Sequence, residues 1–101
     1  MLIVIDDERK QVVLEQADTL SSLSARCASP GQLIWLDPAV AYMDEDLRHV
    51  WISGAWMREA GARQATIADW GGAYDRMLSY AAKQGWVDAK SGFVRAHLET
   101  A

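Results

Sequence analysis

The last third of the chain leaves little freedom in what it can form. Along Phe93–Thr100, Val94, Ala96 and Leu98 fall on one side of an extended backbone and Arg95, His97 and Glu99 on the other, because successive strand residues point to opposite faces. Such a run needs a sheet with one apolar and one polar face. Ahead of it, Thr66-Ile67-Ala68-Asp69 reads as a capping box with Asp in the Glu/Gln slot. It opens an amphipathic helix with the stripe Ile67, Trp70, Tyr74, Met77, Leu78 and Ala81. Gly85 is the expected C-cap, and a turn at Asp88–Gly92 leads into the strand. Gly71-Gly72 weakens the first helical turns, so a start at Asp69 or later is the alternative.

The earlier segments are less sharply punctuated. Leu2–Ile5 and Gln11–Glu15 are β-branched-rich runs separated by the charged segment Asp6–Lys10, which predicts a hairpin with a longer loop. Asp18 is placed to cap a short helix with Leu20, Leu23, Ser24 and Cys27 inward, ended by Ser29-Pro30-Gly31. Gln32–Leu36 suits a short buried strand. Asp37-Pro38 matches an N-cap followed by proline at the first helical position. Val40, Met43, Leu47, Val50, Trp51, Gly54 and Met57 then recur at helical spacing. We therefore expect helix to about Trp51, with His49–Trp56 as strand and turn the alternative, and Ile52–Gly61 open among helix, strand and loop. Together these elements predict one small α+β domain over residues 1–101. Its mixed or antiparallel sheet would have about four strands, covered on one face by about three helices.

Composition narrows function mainly by exclusion. The net charge is −4, and the ten Lys and Arg residues are scattered singly apart from Arg9-Lys10, so no cluster is built for nucleic-acid phosphates. A helix running into Gly85-Trp86-Val87, then a turn, then Phe93–Glu99, resembles the layout of recognition helix and wing in winged-helix domains. Asp69 and Asp75 set against Arg76 and Lys83 deny that helix a basic face. The lone Cys27 permits no internal disulfide, and Met1-Leu2-Ile3-Val4-Ile5 is too short for a signal peptide or a membrane span. The expectation is an acidic cytoplasmic protein without membrane attachment.

Three groups of residues could carry chemistry. In the Arg95/His97/Glu99 row, His97 could serve as general base, Glu99 or Asp37 could orient it, and Arg95 or Arg48 could hold an anionic group. The competing explanation is the solvated face of a half-buried strand. His49 and His97 with Asp44, Glu45, Asp46 or Glu99 have none of the spacings of a metal site, and no metal or cofactor is expected. Five tryptophans are many for so short a chain. Trp35, Trp51 and Trp70 fall on inferred inner faces, whereas Trp56 and Trp86 lie beside glycine-containing turns and can serve as contact residues.

The function these features favour is a small binding or interaction protein. It would contact a protein partner or a second copy of itself through Trp86, Trp56, Arg95 and His97. A small cofactor-independent isomerase, cyclase or hydrolase with His97 as base is the alternative, and it would bind a small-molecule ligand. An acidic inhibitor or immunity-type protein presenting Asp6, Asp7, Asp44, Glu45 and Asp46 is a further one.

Overall fold

The computed structural model describes residues 1–28 and 33–100. In chain order its elements are β1 (Leu2–Asp6), β2 (Gln11–Glu15), β3 (Ser24–Cys27), β4 (Ala41–Met43), β5 (His49–Ser53), α1 (Gly54–Gln64), α2 (Trp70–Lys83) and β6 (Phe93–Glu99). The α+β expectation holds at the level of class. The described residues form six strands rather than about four, and two helices rather than about three.

The strands make one mixed sheet in the order β2-β1-β3-β6-β5-β4. Strands β1, β3 and β6 run parallel, and the two outer hairpins add antiparallel neighbours on either side. The pairing Ile3↔Leu14, Ile3↔Ala25 and Ala25↔Leu98 carries one set of side chains across the first four strands of that order. Val50↔Ala96, Ile52↔Val94 and Ala41↔Ile52 continue it to β4. This face is buried, and Met57, Ala60, Trp70, Tyr74 and Ala81 of the two helices complete the same cluster. Two polar anchors fix the helices there: the Tyr74 hydroxyl donates to Gly54 O at 2.7 Å, and Trp70 Nε1 donates to Ala17 O at 2.7 Å. The Tyr74 and Trp70 rings stack with centroids 5.0 Å apart.

Helix α2 follows its apolar stripe and begins at Trp70, the later of the two starts the sequence allows. Asp69 stands before it in the left-handed region at φ 53° and makes no side-chain cap. No capping box forms, because Thr66 is engaged elsewhere. Its N–H and hydroxyl donate to the Asp18 carboxylate at 2.9 and 2.5 Å, and Ile67, outside the helix, is exposed. At the other end Gly85, at φ 81°, closes a Schellman turn in which Trp86 N–H donates to Ala81 O and Gly85 N–H to Ala82 O.

Three sequence expectations are corrected. Asp18 caps no local helix, since its carboxylate holds the link between α1 and α2, and Ser24–Cys27 is strand β3 with Cys27 buried on the core face. Leu33–Leu36 forms a turn, with Leu36 N–H donating to Leu33 O, rather than a strand; Ser29-Pro30-Gly31 and Gln32 lie outside the described residues. The Asp37-Pro38 signal yields one turn only, in which Asp37 O accepts from Val40 and Ala41 N–H before the chain extends into β4. Asp46 then ends any helical run. Its Oδ1 accepts from Arg48 and His49 N–H, a local bond that competes with helix, and Leu47 sits at φ 57°. The alternation His49–Ser53 thus becomes a strand. It turns Trp51 away from the core, and the helix begins after it, with Ser53 Oγ accepting from Trp56 N–H.

No helix among the described residues is long and apolar enough to cross a membrane.

Candidate functional site

Both helices cover one face of the sheet, which leaves the other face to the alternate residues of each strand. On β4, β5 and β6 the register sets Tyr42 beside Trp51, Trp51 beside Arg95, His49 beside His97 and Ser53 beside Phe93. Tyr42 and Trp51 stack with centroids 6.5 Å apart, and the Tyr42 ring reaches across β5 to Phe93 at 5.4 Å. The result is an aromatic band at one end of the open face. His49 and His97 meet edge-on next to it, at 5.6 Å. Further along the sheet come Arg26 and Glu99, about half exposed and 3.9 Å apart, then Val4 and Val13.

The charges on this face are largely spent on one another. Arg95 Nε donates to Asp44 Oδ2 at 2.6 Å and its Nη2 to Asp46 Oδ2 at 3.0 Å. Asp46 also pairs with His49 Nδ1 at 2.7 Å. The Arg48 N–H, then His49 by its ring and its N–H, stabilise the ionised form and hold the Asp46 carboxyl at about 2. Asp44, Asp46 and His49 bring three ligand-type atoms within 4.8 Å of one another. The Arg95 guanidinium already supplies the positive charge those carboxylates face.

The sequence-derived site residues separate into distinct regions. Arg95, His97 and Glu99 share the open face as the alternation predicts, with His97 and Glu99 exposed and Arg95 half-buried. Within the row, Arg95 faces Asp44 and Asp46, His97 faces the His49 ring, and Glu99 faces Arg26. Asp37 lies before β4, where its Oδ1 accepts from Ala39 N–H, and Arg48 lies exposed in the β4–β5 turn. Trp56 is on α1, half-buried, along a cleft of about 210 Å³ shared with Trp35, Val12 and Val40. Trp86 is 43% exposed beside the Tyr80 ring, on a small cleft of about 100 Å³ with Leu20, Leu23 and Met77. The two acidic clusters occupy the β1–β2 and β4–β5 turns, at the same end of the sheet with β3 and β6 between them. Asp7 accepts from Trp35 Nε1 at 2.6 Å, Asp6 from Arg9 N–H, and Asp44 and Asp46 from Arg95, so Glu8 and Glu45 are the acids left pointing to solvent.

The sequence reading missed Tyr42, Trp51 and Phe93 as surface residues. The signal for Trp51 was present in the strict alternation of His49, Trp51 and Ser53 against Val50 and Ile52. A comparison with protein-family models, curated proteins and solved structures finds no match to this chain.

Proposed function

We propose that the protein works as a binding module whose contact surface is the open face of the sheet, and that the occupant of that face is a second copy of the chain. The observation that carries this reading is the joined band of Tyr42, Trp51 and Phe93 beside ion pairs that are already internally neutralised. A partner of strong charge would find no complement there, whereas an identical face would. In a two-fold contact each patch meets itself, so a surface carrying both Arg26 and Glu99 is self-complementary.

The area also fits. Six strands at about 4.8 Å spacing and about 17 Å of strand length give a projected face of roughly 500 Å². With side-chain relief this approaches the lower end of stable interfaces, about 1,200 Å² in total over both copies. Sheet-to-sheet packing about 10 Å apart would bury the aromatic rings. His97 and Arg95 belong to this contact, with Trp86 at its margin as a separate exposed anchor. We place the module in the cytoplasm, where its acidic balance favours solubility.

Sedimentation velocity over a concentration series tests the reading. A concentration-dependent dimer is expected, and it should weaken in Tyr42→Ser and in Arg26→Glu. Combining Arg26→Glu with Glu99→Arg should restore association. A monomer at every concentration, or association indifferent to all these changes, overturns it.

A further inference from the structure

The outer edge of β4 is a second surface, which shares Tyr42 with the open face. Val40 O accepts from Ser53 N–H at 2.8 Å, and Asp44 N–H donates to His49 O at 2.9 Å, so Val40, Tyr42 and Asp44 turn their backbone groups toward β5. By the alternation of an antiparallel ladder, Ala41 and Met43 turn theirs outward. The Ala41 N–H is taken by Asp37 O at 3.1 Å. Among the described residues the Ala41 carbonyl and both backbone groups of Met43 meet no partner, and β4 ends the strand order.

An apolar cleft of about 400 Å³ runs along this edge, walled by Leu33, Ile34, Leu36, Tyr42 and Leu47. Ile34 is fully exposed, and Leu47 is 59% exposed in a left-handed conformation that leucine seldom adopts. Edge strands are ordinarily guarded by charge or by cover. The opposite edge follows that rule, since β2 is bounded by exposed Lys10, Gln11 and Glu15. The β4 edge instead pairs unmet ladder groups with apolar walls.

Charge decides between occupants. Acids outnumber cations at both ends of β4: exposed Asp37 stands before it, and after it come Asp44 and Asp46, which Arg95 pairs, with exposed Glu45 and Arg48 beside them. A second copy pairing antiparallel about Tyr42 would bring Asp37 of one chain toward a turn of the other that stays net negative after its Arg95 and Arg48 are counted, a like-charge contact. A basic segment would meet an acid at each end. We propose that the β4 edge takes an extended segment of a partner protein by strand addition, with apolar side chains entering the cleft and Lys or Arg at its ends.

The test uses the intact protein and a short peptide alternating valine and threonine with lysine at both ends, beside the same peptide ended in glutamate. Backbone amide exchange followed by NMR should show the Met43 N–H protected by the lysine-ended peptide. Titration should show the glutamate-ended one binding about tenfold more weakly or worse. Leu47→Lys, at an exposed position, should weaken binding of the lysine-ended peptide while the fold is retained. Equal binding of both peptides, no added protection at Met43, or binding unaffected by Leu47→Lys each overturns the proposal. So does Met43 protection that rises with protein concentration alone, which would assign the edge to self-pairing.

Discussion

Two helical glycines should respond in opposite directions to the same substitution. A Cβ added at Gly61 of α1 would lie 2.4 Å from Cζ2 and 2.5 Å from Cη2 of Trp70. Carbon atoms in contact sit about 3.5–4.0 Å apart, so the indole would have to retreat by about 1 Å or more. It has nowhere easy to go. Trp70 is buried, stacked on Tyr74 and tied by its Nε1 to Ala17 O. Overpacking of this kind costs about 1–3 kcal/mol, and stretching the indole bond adds to it. The gain in helix propensity from Gly to Ala returns about 1 kcal/mol. We therefore expect Gly61→Ala to destabilise by about 1–2 kcal/mol, a fall in Tm of roughly 4–16 °C for a chain of this size. At Gly71 of α2 a Cβ meets only Arg58 Nη1, at 3.6 Å, an ordinary contact. There the propensity gain should dominate, and Gly71→Ala should raise stability by up to about 1 kcal/mol. Scanning calorimetry of the two variants beside the parent measures both. A Gly61→Ala protein as stable as the parent, or two variants shifted alike, would refute the packing argument.

Two further expectations concern buried and bridging polar groups. Tyr74→Phe removes the hydroxyl bond to Gly54 O and should cost about 1 kcal/mol in urea unfolding. Burial raises the folded Tyr74 pKa to about 12 from 10.0, with Arg58 opposing. The unfolded chain therefore loses this proton first, and parent stability should fall as pH rises through that window, a decline that Tyr74→Phe should reduce. Asp18→Asn should lower Tm at neutral pH, because the Thr66 hydroxyl and N–H stabilise the ionised carboxylate below its usual 3.8. That stabilisation is present above the unfolded pKa and lost as acid protonates the folded carboxyl, so the gap between parent and variant should narrow there. A gap constant with pH would show that charge at Asp18 does not matter.

The parts of the fold legible in the sequence are those set by neighbours along the chain. The β1–β2 hairpin, the stripe of α2 from Trp70 to Ala81, its Gly85 terminus and the inward set Val94, Ala96 and Leu98 all follow from local periodicity. Strand β3 was hidden because Ser24-Ala25-Arg26-Cys27 is short and takes its strand character from parallel partners distant in sequence. The β4–β5 hairpin was hidden by coincidence of period: Val40, Met43, Leu47 and Val50 satisfy helical spacing until the Asp46 turn breaks it. The candidate surface was half legible for the same reason. Its charged row lies within one strand, but the Tyr42, Trp51 and Phe93 band exists only through cross-strand register.

The place of β6 bears on how this protein is made. It is the last of the described elements in sequence order, yet it lies between β3 and β5 and joins the first three strands to the β4–β5 hairpin. During synthesis the ribosome releases two partial sheets with no shared ladder, each with an unmet edge beside the gap. The core face of both stays incompletely covered until Val94, Ala96 and Leu98 arrive. Pairing across such sequence distances is slow and leaves strand edges open to other chains. The nascent chain is thus most prone to aggregate just before Phe93–Glu99 emerges, and a stop codon ahead of Phe93 would remove the centre of the sheet.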